Sequence, residues 1–217
     1  MTAGRCRSPS PIRRSSPPGW AFSIWTLIYL GLLLSAVIGL WRRADDPLWD
    51  RVRLPLLLSL AIGTPWLAIA QRSAIGATAV IFVMAALAIA AMLRARERDR
   101  WILRAPVSLL AGWLTAASFV SLGATLAGFG IMGPVAAAWL CIALAAGTAL
   151  LVQAAAGRAP AYAMAAGWAL SAIAAKNAGE QTGLALLAAA GAAAVGIVAW
   201  IGWRRGPRVT SDAWSGR

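Results

Sequence analysis

The stretch PPGWAFSIWTLIYLGLLLSAVIGLW, residues 17–41, decides the fold class of this chain. It opens with two prolines and several aromatic residues and then continues for about twenty residues without a charge. A hydrocarbon core about 30 Å thick requires a helix of about that length to cross it. The stretch therefore predicts a transmembrane helix.

The composition of the whole chain extends this prediction. Of 217 residues, 60% are hydrophobic and 12% are charged, and the mean hydropathy is +0.72. A soluble domain of this length needs more polar surface to cover its core. A β-barrel is disfavoured because its strands alternate and are only about ten residues long. We expect an all-α fold, a polytopic transmembrane helical bundle.

Apolar runs recur along the chain and predict about seven spans. They cover residues 20–41, 54–70, 74–93, 102–127, 135–155, 160–175 and 183–203. Residues 42–53 are predicted to form a charged turn, and Pro65 is predicted to kink the second span and to free the carbonyl of Ala61.

Glycine and proline between residues 128 and 134 predict a break that divides the chain. The predicted regions are a disordered polar tail at 1–19, a four-helix core at 20–127, a further three-helix transmembrane region at 128–203 and a cytoplasmic tail at 204–217.

The net charge of +13 raises the question of nucleic acid. The arginines, however, lie in short connections and tails, where they fit membrane topology and anionic lipid headgroups better. The connections on the side of the membrane where the C-terminus lies hold more Lys and Arg than those on the opposite side, so we expect a cytoplasmic C-terminus and an outside N-terminus. We further expect the protein to lie in the bacterial inner membrane. The arginines of the N-terminal tail conflict with this orientation, because they would have to cross the membrane. We expect lipids as partners and no nucleic acid.

Catalytic and metal sites are not expected. The chain contains no histidine, and Cys6 and Cys141 lack the spacing of metal ligands. No nucleophile stands beside a base and no phosphate loop is present. We expect neither enzymatic activity nor a cofactor.

Lys176 and Glu180, with Asn177 between them, close the sixth predicted span. An ionisable pair near membrane depth is a functional candidate. Alternatively, Lys176 reaches the interface and Glu180 lies in the loop.

Three segments resemble the TspO/MBR family, the tryptophan-rich sensory proteins related to the translocator protein. They are PPGWAFSIWTLIY at 17–29, GTPW at 63–66 and APVSLLAGWLTAASFVSL at 105–122. The segment GWALSAIAAKNAG at 167–179 resembles a longer branch with additional helices. Gly63 and Ser121 stand where the family has asparagines. Family members usually begin with a hydrophobic helix before the proline–tryptophan motif, whereas here only a polar tail precedes it. We therefore expect the first family helix to be absent, through loss or through a misplaced start.

The resemblance implies a planar apolar ligand, such as a porphyrin, another tetrapyrrole or a sterol-like molecule, and a role as sensor, regulator or handler. Trp25 and Tyr29 are four residues apart and so share one helix face. The candidate ligand-binding residues are Trp20, Phe22, Trp25, Tyr29, Trp66 and Trp113.

An aromatic belt at the membrane interface is the alternative reading for these tryptophans. It is the favoured reading for Trp41, Trp49, Trp101, Trp200 and Trp203.

Two other functions remain open. The chain could be a carrier or accessory transporter subunit for an apolar metabolite, or a structural assembly partner. Gly31, Ser35 and Gly39 recur every four residues, a pattern that packs helices closely. That face either closes the bundle internally or forms a homodimer.

Overall fold

The computed structural model describes residues 18–95 and 99–205 of the chain. Within these residues eight α-helices and no strand occur. The helices are α1 (Ile24–Arg42), α2 (Pro47–Gly63), α3 (Trp66–Arg72), α4 (Ala74–Arg94), α5 (Ala105–Gly128), α6 (Pro134–Ala156), α7 (Pro160–Asn177) and α8 (Thr182–Arg204). A 3₁₀ turn, Gly19–Ser23, precedes α1, and a π-helical turn, Arg100–Arg104, precedes α5. Most of the two predicted tails lies outside the described residues.

Six helical segments of the described chain are long and apolar enough to cross a membrane. They are Gly19–Arg42, Pro47–Arg72, Ala74–Arg94, Arg100–Gly128, Pro134–Ala156 and Thr182–Arg204. The remaining helix, α7, matches the predicted sixth span but is less apolar, and it packs against both α5 and α8. The predicted helical membrane bundle is confirmed.

Helix α5 is the centre of the bundle and contacts α1, α4, α6 and α7. Its approach to α7 is very close at Gly112, where an added Cβ would lie 2.4 Å from the backbone oxygen of Tyr162 and 3.1 Å from Cβ of Ala165. Small residues permit such contacts between membrane helices. Core residues from both sides of the predicted break at residue 128 belong to one cluster, and the division into two regions stays a prediction.

The predicted charged turn at 42–53 is wrong in its second half, because α2 already begins at Pro47. The Asp46 side chain caps the helix by accepting a hydrogen bond of 2.9 Å from the backbone N–H of Leu48. Proline at the first helical position loses no hydrogen bond and has a suitable φ. Both signals were present in the sequence, but the density of charge concealed them.

Arg53, within α2, holds the C-terminal end of α1. Its guanidinium donates to the backbone oxygens of Gly39 at 3.2 Å, Arg43 at 2.6 Å and Ala44 at 2.8 Å, and it pairs with Asp50. The last carbonyls of a helix have no partner within that helix. Arg53 therefore supplies donors that the end of α1 lacks.

Pro65 interrupts the helix of the second span, which as a whole runs over Pro47–Arg72. Helix α2 ends at Gly63, and a new helix, α3, starts at Trp66. The carbonyl of Ala61 is not freed, since it accepts the N–H of Thr64 at 3.3 Å. The interruption places Trp66 at the start of a short helix.

Trp49 does not lie in an interfacial belt, contrary to the prediction. Its side chain is only 3% exposed, and its Nε1–H donates to Oδ2 of Asp99 at 2.9 Å. Oδ1 of Asp99 accepts from Arg43 at 3.2 Å. Asp99 thus joins the connection between α1 and α2 to the connection before α5. The other four tryptophans assigned to the belt are exposed to different extents.

The small-residue face of α1 packs inside the bundle. A Cβ at Gly31 would lie 3.2 Å from the side chain of Pro106, and one at Gly39 would lie 2.8 Å from the ring of Trp49. Ser35, between them, is buried. This face therefore closes the bundle internally, and a homodimer stays a prediction.

Lys176 lies in the last turn of α7, and Glu180 is exposed in the turn that follows. Asn177 is buried and donates from Nδ2 to the backbone oxygen of Ile173 at 2.8 Å. Since the pair sits at the end of a helix, its geometry fits the interfacial reading.

Candidate functional site

A cavity of about 760 Å³ opens between α1, the α2–α3 break, α4, α5 and α7. Its volume lies within the usual range of small-molecule sites, about 300–1,000 Å³. Five of the six candidate residues line it, and we call it the aromatic cavity after them. They are Phe22, Trp25, Tyr29, Trp66 and Trp113.

One wall of the aromatic cavity is a cluster of four rings. Trp25 and Tyr29 are stacked, with ring centroids 5.2 Å apart and planes inclined by 21°. Trp113 meets Trp25 edge to face at 6.2 Å and Phe22 edge to face at 5.6 Å. Edge-to-face and offset pairs are the favoured arrangements of aromatic side chains. Trp113 is 3% exposed, so the central ring of the wall is held by the protein itself.

Trp66 contributes from α3. Its Nε1–H donates to the backbone oxygen of Ala77 in α4 at 3.0 Å. An indole buried in an apolar region needs such a partner for its N–H. The bond satisfies the polar end of the side chain and fixes the ring at the margin of the cavity.

Trp20 lies outside the aromatic cavity. Its ring packs edge to face on Trp168 of α7, with centroids 5.2 Å apart. Trp168 in turn donates from Nε1 to the backbone oxygen of Ala21 at 3.0 Å. The pair attaches the start of α1 to α7 and so positions Phe22, one residue further on.

The two positions where the family has asparagine both line the aromatic cavity. The Ser121 hydroxyl lies 2.8 Å from Oγ1 of Thr78, which also lies 2.8 Å from Oγ1 of Thr125. At Gly63 an added Cβ would come within 2.5 Å of Cε of Met84. The missing side chain thus leaves space for Met84, which itself lines the cavity.

The aromatic cavity is apolar and opens sideways. None of the described residues that line it carries a charge, and its hydroxyl groups are those of Tyr29, Thr64 and Ser121. Phe22, Tyr29 and Leu67 are 49%, 58% and 63% exposed. These residues belong to segments that are long and apolar enough to cross a membrane. The mouth therefore opens on the side of the bundle, between such segments.

Aliphatic side chains form much of the remaining lining, and the sequence analysis missed them. They include Ile81 and Met84 from α4, Leu110 and Leu114 from α5, and Ala169 and Ile173 from α7. Such residues are abundant throughout the chain, and no local pattern distinguishes those that face a cavity from those that face lipid.

A second cavity, of about 690 Å³, lies between α1 and α2 towards the arginine-rich end of the bundle. It shares Leu60 with the aromatic cavity but contains none of the candidate residues. Within residues 18–95 and 99–205, no group of three or more Cys, Asp or Glu side chains is placed to hold a metal ion.

The family model described as TSPO-like protein matches residues 14–203. The match includes α1 to α7 and nearly all of α8, on both sides of the predicted break at residue 128. No curated protein and no solved structure was found to match the chain.

Proposed function

Since the chain belongs to the TSPO-like protein family, we propose that this integral membrane protein binds a planar apolar ligand in the aromatic cavity. The ligand classes are a porphyrin or other tetrapyrrole and a sterol-like molecule. The role is that of a sensor, regulator or handler of this ligand, without catalysis.

The observation that carries the proposal is the convergence of five aromatic side chains from three separate segments on one uncharged cavity. A flat ring system can stack on Trp25 and Tyr29 and meet the edge of Trp113. Aromatic pairs of this kind contribute about 0.5–1.5 kcal/mol each beyond the burial of apolar area.

The absence of charge in the described lining constrains how the ligand is oriented. A carboxylate buried without a partner is very costly. A porphyrin with carboxylate groups would therefore keep them outside, at the mouth near Tyr29 or beyond it. A sterol would place its single hydroxyl at one of the polar groups, Thr64 or Ser121.

The experiment is a titration of the full chain in detergent with protoporphyrin IX, read from the absorbance of the porphyrin. Saturable binding at micromolar concentration is expected. Trp25→Phe and Trp113→Phe should each weaken it about 2–10-fold, since each loses part of one ring contact. Trp200→Phe is the matched control, because Trp200 is 58% exposed and lies outside the cavity.

Three results contradict the proposal for porphyrins. Binding could be non-saturable and equal to that of empty micelles, it could be unaffected by either cavity variant, or it could be weakened equally by the control. Displacement of bound porphyrin by cholesterol would show that the two ligand classes share the cavity. Protein-dependent passage of the ligand across liposomes would favour the carrier alternative.

A further inference from the structure

We propose that the chain has a second binding site, for a phosphate group, where α5 and α7 begin. The phosphate is carried by an anionic lipid headgroup or is a free phosphate ion. The site is a small cavity of about 30 Å³. We call it the arginine pocket, after Arg100, Arg104 and Arg158, which line it with Ser108 and Trp203. It shares no residue with the aromatic cavity, so the two proposals are independent.

The three arginines are held in place by neighbouring groups. The guanidinium carbon of Arg100 lies 5.4 Å from the ring centroid of Trp101 and 5.2 Å from that of Trp203. The guanidinium carbon of Arg158 also lies near Trp203, 5.1 Å from its ring centroid. Arg104 is 9% exposed and donates from Nη2 to the backbone oxygen of Ala156 at 2.8 Å. A guanidinium group over an aromatic ring keeps its positive charge.

One helix N-terminus adds to this positive charge. Helix α7, of 18 residues, starts at Pro160, which lines the arginine pocket, and it has no side-chain cap. Free backbone N–H groups and the helix dipole favour an anion at such an end. The start of α5 is not such an end, because the π-helical turn Arg100–Arg104 continues into it and the N–H of Ala105 donates to the backbone oxygen of Arg100.

Ser108 supplies an independent indication of a ligand. It lines the arginine pocket and is 1% exposed, and its Oγ has no hydrogen-bond partner among the described residues. A buried hydroxyl without a partner is costly, and a phosphate oxygen would accept its hydrogen. The cavity has room for one or two water-sized groups, which fits an oxygen of a phosphate and excludes a ring ligand.

The neighbouring carboxylate does not neutralise the pocket. Asp99 precedes Arg100 in the chain, but its two oxygens are engaged by Trp49 and Arg43. The same end of the bundle carries further arginines at the ends of α1, α4 and α8. A positive end of this kind faces the leaflet surface, where anionic headgroups are concentrated.

The test measures lipid binding to the full chain in neutral detergent by native mass spectrometry. Phosphatidylglycerol and phosphatidylcholine with identical acyl chains are titrated separately. Phosphatidylglycerol should bind at least about tenfold more tightly, and Arg158→Gln should remove most of that preference. Arg205→Gln is the matched control, because it removes one charge from the same end of the bundle, outside the pocket.

Ser108→Ala keeps the test valid if Arg158→Gln does not fold. It should weaken phosphatidylglycerol binding severalfold while the melting temperature stays equal or rises, because an unpartnered hydroxyl is removed. Displacement of the lipid by inorganic phosphate would identify the free ion as a sufficient ligand. Retention of the lipid in excess phosphate would identify the headgroup with its chains.

The proposal is overturned if the two lipids bind equally. It is also overturned if Arg205→Gln weakens binding as much as Arg158→Gln, because general surface charge then explains the effect. If Ser108→Ala binds phosphatidylglycerol as tightly as the wild type, Ser108 does not contact the phosphate. The proposal of a preformed phosphate site then fails.

Discussion

Gly112→Ala tests the closest helix contact of the bundle. The added methyl group would meet the backbone oxygen of Tyr162 at 2.4 Å. Ordinary contacts between non-bonded heavy atoms lie at about 3.5 Å, so α5 and α7 would have to separate by about 1 Å. Neither partner can yield by rotating a side chain, since the atom that is struck belongs to the backbone.

Two terms determine the size of the effect. Overpacking of a well-packed interface costs about 1–3 kcal/mol, and contact with a rigid carbonyl places this case at the upper end. Replacing glycine by alanine within a helix stabilises the folded state by about 1 kcal/mol through helix propensity. The net loss is about 2 kcal/mol, which for a chain of this size lowers the melting temperature by about 4–8 °C.

The assay is thermal unfolding of the purified protein in detergent. Gly147→Ala is the control, since Gly147 lies within α6 and an added Cβ would meet nothing within 4 Å. It should melt at the same temperature as the wild type or a few degrees higher. Because Trp113 follows Gly112 directly, Gly112→Ala should also weaken porphyrin binding, whereas the control should not.

An unchanged or higher melting temperature for Gly112→Ala would refute the reasoning. It would mean that α5 and α7 are farther apart than described, or that the interface can adjust without cost. Equal destabilisation by the two variants would assign the effect to loss of glycine in general.

Three further variants have expected outcomes. Trp49→Phe removes the hydrogen bond to Asp99 and should reduce the free energy of unfolding by about 1–3 kcal/mol, measured as a lower melting temperature. The control Trp41→Phe should leave the melting temperature unchanged, since Trp41 is 85% exposed. Thr78→Val removes two hydroxyl–hydroxyl contacts and should cost about 1–2 kcal/mol, seen as a lower denaturant midpoint. Arg53→Met removes the donors at the end of α1, so faster hydrogen exchange is expected in the last turn of that helix.

The sequence predicted the helix bounds best where proline marks the start of a helix and glycine marks its end. The run at 135–155 corresponds to α6, Pro134–Ala156, because Pro134 starts it and Gly157, with φ of +64°, ends it. The start of α2 was misplaced because charge outweighed the capping signal of Asp46 and Pro47. The capping preference of aspartate and the preference of proline for the first helical position were sufficient to place this start, but the charged residues were given more weight.

The site was less accessible to sequence reasoning. Trp25 and Tyr29 share a face by helical spacing alone, but the meeting of Trp25 with Trp113 depends on the packing of α1 on α5. Only the family resemblance connected these distant segments. The role of Trp49 could not be predicted, because its partner Asp99 lies 50 residues away.

The bond between Trp168 and Ala21 also bears on the order in which the protein is made. The two residues are 147 positions apart, an interval that takes a ribosome roughly 7–30 s to translate at about 5–20 residues per second. Until α7 has emerged, the start of α1 lacks this anchor, and the floor formed by Ala169 and Ile173 is missing. The first four membrane segments are thus synthesised before the aromatic cavity is complete, and the proposed ligand would find its full site only after α7 has joined them.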